Sequence, residues 1–66
     1  MNVILYSTGC PKCQILEKKL NEKNIDHTYV DDIDLMLSMG MTATPMLDVD
    51  GALMDFNAAV KFVNNL

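Results

Sequence analysis

Apolar and polar positions follow two different periods along this chain, and the places where the period changes mark the elements. Asn2–Tyr6 (N-V-I-L-Y) is a short apolar run rich in strand formers and reads as a buried strand. Ser7–Gly9 is turn-like. From Pro11 the pattern becomes helical, with Cys13, Leu16 and Leu20 on one face and Lys12, Glu17, Lys19 and Glu22 largely off it. Pro11 suits the first helical position, where its missing N–H has no helical partner to lose. The helix is expected to end at Asn24. Asp26–Asp31 contains His27-Thr28-Tyr29-Val30, a second strand candidate. Asp31, Asp32 and Asp34 crowd the start of a short helix, where carboxylates cap free N–H groups and oppose the positive helix end. Gly40 is a natural stop. Met46–Asp50 reads as a third strand, Asp50-Gly51 as a hairpin turn and Ala52–Met54 as the returning strand. Ala59, Phe62, Val63 and Leu66 recur at helical spacing, so the last stretch is an amphipathic helix.

The resulting order is β-α-β-α-β-β-α. Two strands joined by a helix should lie parallel in one sheet with a right-handed crossover, and the final two strands form an antiparallel hairpin. The expectation is an α/β fold: a four-stranded mixed sheet with helices on both faces, in a single domain over 1–66. No repeat, linker or low-complexity tract interrupts it.

Length and composition narrow the classes. At 66 residues the chain can bury only roughly 60% of its unfolded surface, so its core is small. Half of the residues are apolar, which argues against disorder. The net charge of −4 makes nucleic-acid binding a poor expectation, because that needs a basic footprint. No apolar run approaches the roughly 20 residues that span a bilayer. Positions 1–9 carry no basic start before an apolar stretch and no small-residue cleavage site, so a cytoplasmic protein is expected. There are two cysteines, too few for a disulfide-stapled secreted domain.

Those two cysteines carry the candidate chemistry. Cys10-Pro11-Lys12-Cys13 follows a strand and opens a helix. Cys10 falls at or just before the helix start, so its sulfur can face unpaired backbone N–H groups. Such donors favour thiolate over thiol and lower a cysteine from about 8.5 to between about 3.5 and 7.5. Thiolate is the nucleophile of disulfide exchange. Cys13 lies one turn later, starts the apolar face, and is expected to be more buried. The roles follow: Cys10 attacks a substrate disulfide, and Cys13 resolves the adduct. Metal binding is the competing class. One C-x-x-C supplies two ligands where a closed zinc site needs four, and His27 sits in a strand away from the pair. A zinc or iron–sulfur module would need the same pair from two chains at a dimer interface. A redox-dead interaction domain is a third class.

Thr44-Pro45, just before the third strand, is the second feature. Proline is awkward inside a sheet but acceptable at a strand start, and X–Pro bonds adopt cis at modest cost. A cis bond would turn the Thr44 backbone outward, free to pair with an extended substrate segment.

Taken together, N-V-I-L-Y, C-P-K-C opening a helix, and T-P before a strand–D-G–strand hairpin resemble the glutaredoxin branch of the thioredoxin fold. The resemblance covers essentially the whole chain and matches the compact glutaredoxin-type form. It implies a nucleophile at Cys10, a resolving thiol at Cys13, and a cis-Pro45 beside them. It also implies that Thr44 offers its backbone to glutathione or a protein substrate. Pro11, Lys12, Tyr6 and Asp55 are the other candidate substrate-binding residues. Two departures stand out. Where glutaredoxins carry a Gly-Gly pair and an Asp after the hairpin, this chain reads Met54-Asp55-Phe56-Asn57-Ala58; where they carry a lysine before the motif, it has Ser7, Thr8 and Gly9. Small glutaredoxin-like redoxins recycled by thioredoxin reductase, some feeding ribonucleotide reductase, share that kind of loss. The implied partners are disulfide-containing proteins, with glutathione or thioredoxin reductase as electron donor. No bound cofactor is required, because the cysteine pair carries the electrons. A monomer is expected.

Each side chain also has a plainer reading. Lys12 is a tuning charge or a solvated one. Tyr6, at the strand end, is a core or rim aromatic or a substrate contact. His27 is a surface residue. Asp48 shares a strand face with Met46; it is an edge acid or, if buried near Cys13, a proton shuttle. Of the six methionines, Met36, Met39, Met41, Met46 and Met54 read as core filler, with Met41 and Met46 flanking Thr44-Pro45 as an adaptable rim.

Overall fold

Strand alternation in β1 (Val3–Tyr6) divides the core into two layers. The computed structural model describes residues 1–66. Val3 and Leu5 face α1 (Pro11–Glu22) and α3 (Phe56–Asn64), and cluster there with Leu16, Leu20, Leu47, Val49, Ala59 and Val63. Ile4 and Tyr6 point the other way, toward α2 (Ile33–Ser38), and pack with Met36 and Met41. A side chain moved by one position would change layers, so the apolar pattern fixes the register.

β1 is a central strand of a four-stranded sheet ordered β2 (Thr28–Val30), β1, β3 (Met46–Val49), β4 (Ala52–Met54). It pairs in parallel with β2, as a strand reached through a helix should, with Leu5 opposite Tyr29. It pairs antiparallel with β3, with Leu5 opposite Leu47 and Tyr6 opposite Met46. β4 returns from β3 as the outer hairpin strand. Leu5, Leu16, Leu20, Leu47 and Val63 are fully buried; each such side chain stabilises the fold by roughly 1.5–3 kcal/mol. The α/β architecture, with helices on both faces of a four-stranded mixed sheet, is the one expected.

The ends of the elements are set by local chemistry. α1 and α2 close with the same motif. Asn24 (φ 55°) and Gly40 (φ 81°) turn left-handed. The next residues, Ile25 and Met41, then donate back to Leu20 and Met36 at 2.9 and 3.0 Å. Ile25 packs against the core cluster that holds Leu20, and Met36 and Met41 share the other cluster, the apolar contact that accompanies this type of cap. Asp32 caps α2 by accepting from Leu35 N–H, and Asp55 caps α3 by accepting from Ala58 N–H. Asp50 (φ 52°) and Gly51 (φ 91°) supply the two positive φ angles that a tight hairpin needs.

Some expected bounds shift. β3 stops at Val49 because Asp50 is already in the turn. β2 begins at Thr28; His27 precedes it, and its Nδ1–H donates to Ile25 O at 2.9 Å. α3 ends at Asn64, so Leu66 lies beyond the helix and is exposed. The apolar stripe there consists of buried Ala59 and Val63 with half-buried Phe62.

Candidate active site

The site grows out of the end of β1. Ser7 extends the β1–β2 pairing by one bond, its N–H donating to Val30 O at 2.9 Å. Its hydroxyl is buried and accepts from Gly9 N–H at 3.1 Å, a short-range bond that favours a turn. Gly9 takes φ 78°, a conformation that costs glycine little. The chain thereby reverses into α1 with Cys10 as its N-cap and Pro11 in the first turn.

Cys10 has φ −68° and ψ 165°, and its Sγ accepts from Cys13 N–H at 3.1 Å. One orphan donor of the helix start is therefore aimed at the sulfur. Cys10 and Cys13 form a disulfide with Cα atoms 4.9 Å apart. The two sulfurs differ in access. Cys10 is half-buried, whereas Cys13 is 1% exposed and lies on the face of α1 that carries buried Leu16 and Leu20.

The opposite wall is the loop before β3. The Thr44–Pro45 bond is cis, and Pro45 is fully buried. Cys10 Sγ lies 3.9 Å from Thr44 O. Thr8 Oγ1 and Thr44 Oγ1 are 2.9 Å apart, joining the two loops. On one side of Thr44, Lys12, Pro45, Met46, Asp55 and Phe56 help line a groove of about 190 Å³. On its other side, Thr8, Ile33, Leu37 and Met41 help line a more apolar one of about 180 Å³. The Lys12 ammonium sits 5.4 Å from the centre of the Phe56 ring, within cation–π reach. Lys12 is thus held over the groove.

Cys10, Cys13, Pro11, Lys12, Thr44, Pro45 and Asp55 therefore gather at one end of the sheet. Tyr6 does not line either groove. It is buried against Met36 and Met41, so the core half of its two readings describes its position. Asp48 is corrected outright as a shuttle. It shares the sheet face of Met46, away from the face that packs on α1, and its Oδ1 accepts from Gly51 N–H at 2.8 Å. Its carboxylate shapes the hairpin turn. Sequence reasoning missed four groups: the Ser7 hydroxyl, Thr8, Gln14, whose Nε2 donates to Gly9 O at 3.2 Å, and the Phe56 ring. Only Ser7 had a legible signal, a serine two residues before a glycine in a turn.

No group of three or more His, Cys, Asp or Glu side chains comes together in a way that could hold a metal ion. No helix is long and apolar enough to cross a membrane.

Comparison with known proteins adds one clear relative. No family model matches the chain, and no solved structure gives a significant match. The thioredoxin of Methanothermobacter thermautotrophicus is 41% identical to it, over 80% of this chain and 77% of that protein. At that identity and coverage the chain belongs to the thioredoxin family and is a thiol–disulfide oxidoreductase.

Proposed function

We propose that this chain reduces protein disulfides or glutathione mixed disulfides, with Cys10 as nucleophile and Cys13 as resolving thiol. The observation that carries the reading is the asymmetry of the pair. Cys10 is the accessible sulfur and faces an N–H donor at 3.1 Å, while Cys13 is 1% exposed. Hydrogen bonding to the charged form favours a thiolate at Cys10 in the reduced protein.

The Cys10 thiolate attacks one sulfur of the substrate disulfide. A bond forms between Cys10 Sγ and that sulfur, the substrate S–S bond breaks, and the departing thiolate takes up a proton. Cys13 loses its proton and attacks Cys10 Sγ. The Cys10–Cys13 disulfide forms and the second substrate thiolate leaves, also to be protonated. Two electrons pass from the dithiol to the substrate. No further cofactor enters. A second pair of thiols, from glutathione or from a thioredoxin reductase, restores the dithiol.

An extended segment beside the substrate sulfur fits the groove along Thr44 and Pro45, with Lys12 on the cysteine side; Pro11, next to Cys10 in the first turn of α1, is the other substrate-binding candidate on that side. Asp55 is less available than the glutaredoxin resemblance implies, because one carboxylate oxygen already caps α3. That favours a protein substrate over tightly held glutathione.

The test is the equilibrium of the Cys10–Cys13 pair against defined glutathione buffers, read by mass spectrometry. A potential near about −270 mV without a glutathione adduct fits a reductase-coupled redoxin; one near roughly −200 to −230 mV with an adduct on Cys10 fits a glutathione-coupled enzyme. A value below about −300 mV would make the disulfide structural and overturn the reading.

A further inference from the structure

Ser7 is a buried polar side chain, 2% exposed, to which the exchange chemistry assigns no step. Alternation along β1 puts it on the face of Val3 and Leu5, the face that packs on α1. Its Oγ receives two donors. One is Gly9 N–H at 3.1 Å; the other is the phenol of Tyr29, at 3.2 Å, reaching across from β2. A serine hydroxyl has two acceptor lone pairs, and both are used here.

What these bonds hold is the residue before the nucleophile. Gly9 is fixed at its N–H by Ser7 and at its C=O by Gln14 Nε2. Glycine is the most permissive backbone unit, and with φ 78° it needs such restraints to stay in one state. The next residue is Cys10, whose backbone angles set its Sγ 3.1 Å from Cys13 N–H. Small rotations at Gly9 would swing that sulfur away from the donor.

We propose that Ser7 and Tyr29 are positioning residues for the exchange reaction. The Tyr29 phenol orients the Ser7 hydroxyl, the hydroxyl holds Gly9, and Gly9 places the Cys10 sulfur before the free N–H groups of α1. The inference rests on the reading of Cys10 as nucleophile. Its consequence is thermodynamic. The N–H donor stabilises the thiolate, which exists only in the reduced protein. Slackening the loop therefore disfavours the dithiol and moves the balance toward the disulfide. Tyr29 is 44% exposed, so its hydroxyl can be removed with little disturbance of the core.

The experiment uses the full chain with Tyr29→Phe, Ser7→Ala, Ser7→Thr and the Ser7→Ala/Tyr29→Phe pair. Three quantities are read: the pH midpoint of Cys10 alkylation in the reduced protein, the equilibrium with glutathione, and the melting temperature. Loss of the bond that holds Gly9 predicts that Ser7→Ala raises the alkylation midpoint and shifts the glutathione equilibrium about three- to tenfold toward the disulfide. Tyr29→Phe shifts both in the same direction by about two- to threefold. The double variant matches Ser7→Ala, because the two groups act in series. Ser7→Thr, which keeps the hydroxyl, restores both readings.

A purely structural hydroxyl would lower the melting temperature and leave both redox readings in place. That result in Ser7→Ala and Tyr29→Phe overturns the inference. If Ser7→Ala does not fold, Tyr29→Phe alone decides. Failure of the underlying reading looks different. Wild-type protein would then show no preferential alkylation of Cys10, and the positioning role would fall with it.

Discussion

The hydroxyls of Thr8 and Thr44 meet at 2.9 Å although 36 residues separate them in the chain. The bond ties the loop that leads into Cys10 to the loop that carries Pro45. It also sits where the two grooves of the site adjoin, since Thr44 lines both. Thr44→Val keeps the β-branched shape and removes the hydroxyl. Because the pair is solvent-exposed, the stability loss should stay below about 1 kcal/mol. Activity on a peptide disulfide should fall about two- to fivefold in kcat/KM, mainly through KM, because the variant leaves both sulfurs in place. Steady-state kinetics beside a urea titration separates the two effects.

The difference in access between the cysteines gives a directional prediction. Cys13→Ser leaves the accessible sulfur and removes the resolving one, so mixed disulfides on Cys10 should accumulate. Cys10→Ser leaves only a sulfur that is 1% exposed and should trap little. Mass spectrometry of adducts formed with a peptide disulfide reads both. Equal trapping by the two variants would reverse or dissolve the assigned roles.

Lys12 is held 5.4 Å over the Phe56 ring at the edge of a groove that also contains Asp55. A positive charge fixed there should favour anionic disulfides. Lys12→Gln is expected to slow reduction of glutathione disulfide about two- to threefold at low salt. The difference should shrink at about 0.5 M salt, where charges are screened within a few ångströms. Phe56→Leu, which frees the lysine while keeping its charge, should give a smaller effect in the same direction.

The legible part of this protein is the part governed by short-range patterns. Val3 and Leu5 against Ile4 and Tyr6, the Asp-Gly turn, and the Cys10-Pro11 start of α1 each follow from spacing and local chemistry, and each stands where the pattern put it. The cysteine pair was legible for the same reason. The contacts that complete the site were not. Thr8 meets Thr44 across 36 residues and Tyr29 meets Ser7 across 22, and no periodicity encodes which hydroxyls face each other once the sheet closes. Asp48 shows the limit from the other side. Alternation placed it on the right face, but only the packing of α1 on the opposite face decides that it is remote from Cys13.

Leu47 offers a test of the core. It lies on β3 opposite Leu5, is fully buried, and belongs to the cluster that α1 and α3 cover. Leu47→Ala should cost about 2–5 kcal/mol. Single domains are stable by only roughly 5–15 kcal/mol, and small ones sit at the low end. The variant should therefore unfold at much lower urea, and part of it should be unfolded without denaturant. Loss of activity in this variant would report loss of fold, so circular dichroism is the right measurement.

Asp48 makes the opposite kind of prediction, one of no change. Its Oδ1 accepts from Gly51 N–H at 2.8 Å, and that bond needs an oxygen but not a charge. Asp48→Asn retains the acceptor, so stability should change by less than about 0.5 kcal/mol, whereas Asp48→Ala should cost about 1 kcal/mol through loss of that turn bond. Neither substitution should move the pH dependence of the reaction. The sheet lies between this carboxylate and α1, and a proton carrier must come within hydrogen-bond reach of the thiol it serves. The proton that Cys13 gives up then goes to an acceptor other than Asp48, such as the departing thiolate or water. The pH–rate profile of Asp48→Asn, measured from about pH 5 to 9, checks this, because the titrating groups of the reaction set its shape. A displaced profile would mean that the sheet rearranges during turnover and brings Asp48 to the cysteines.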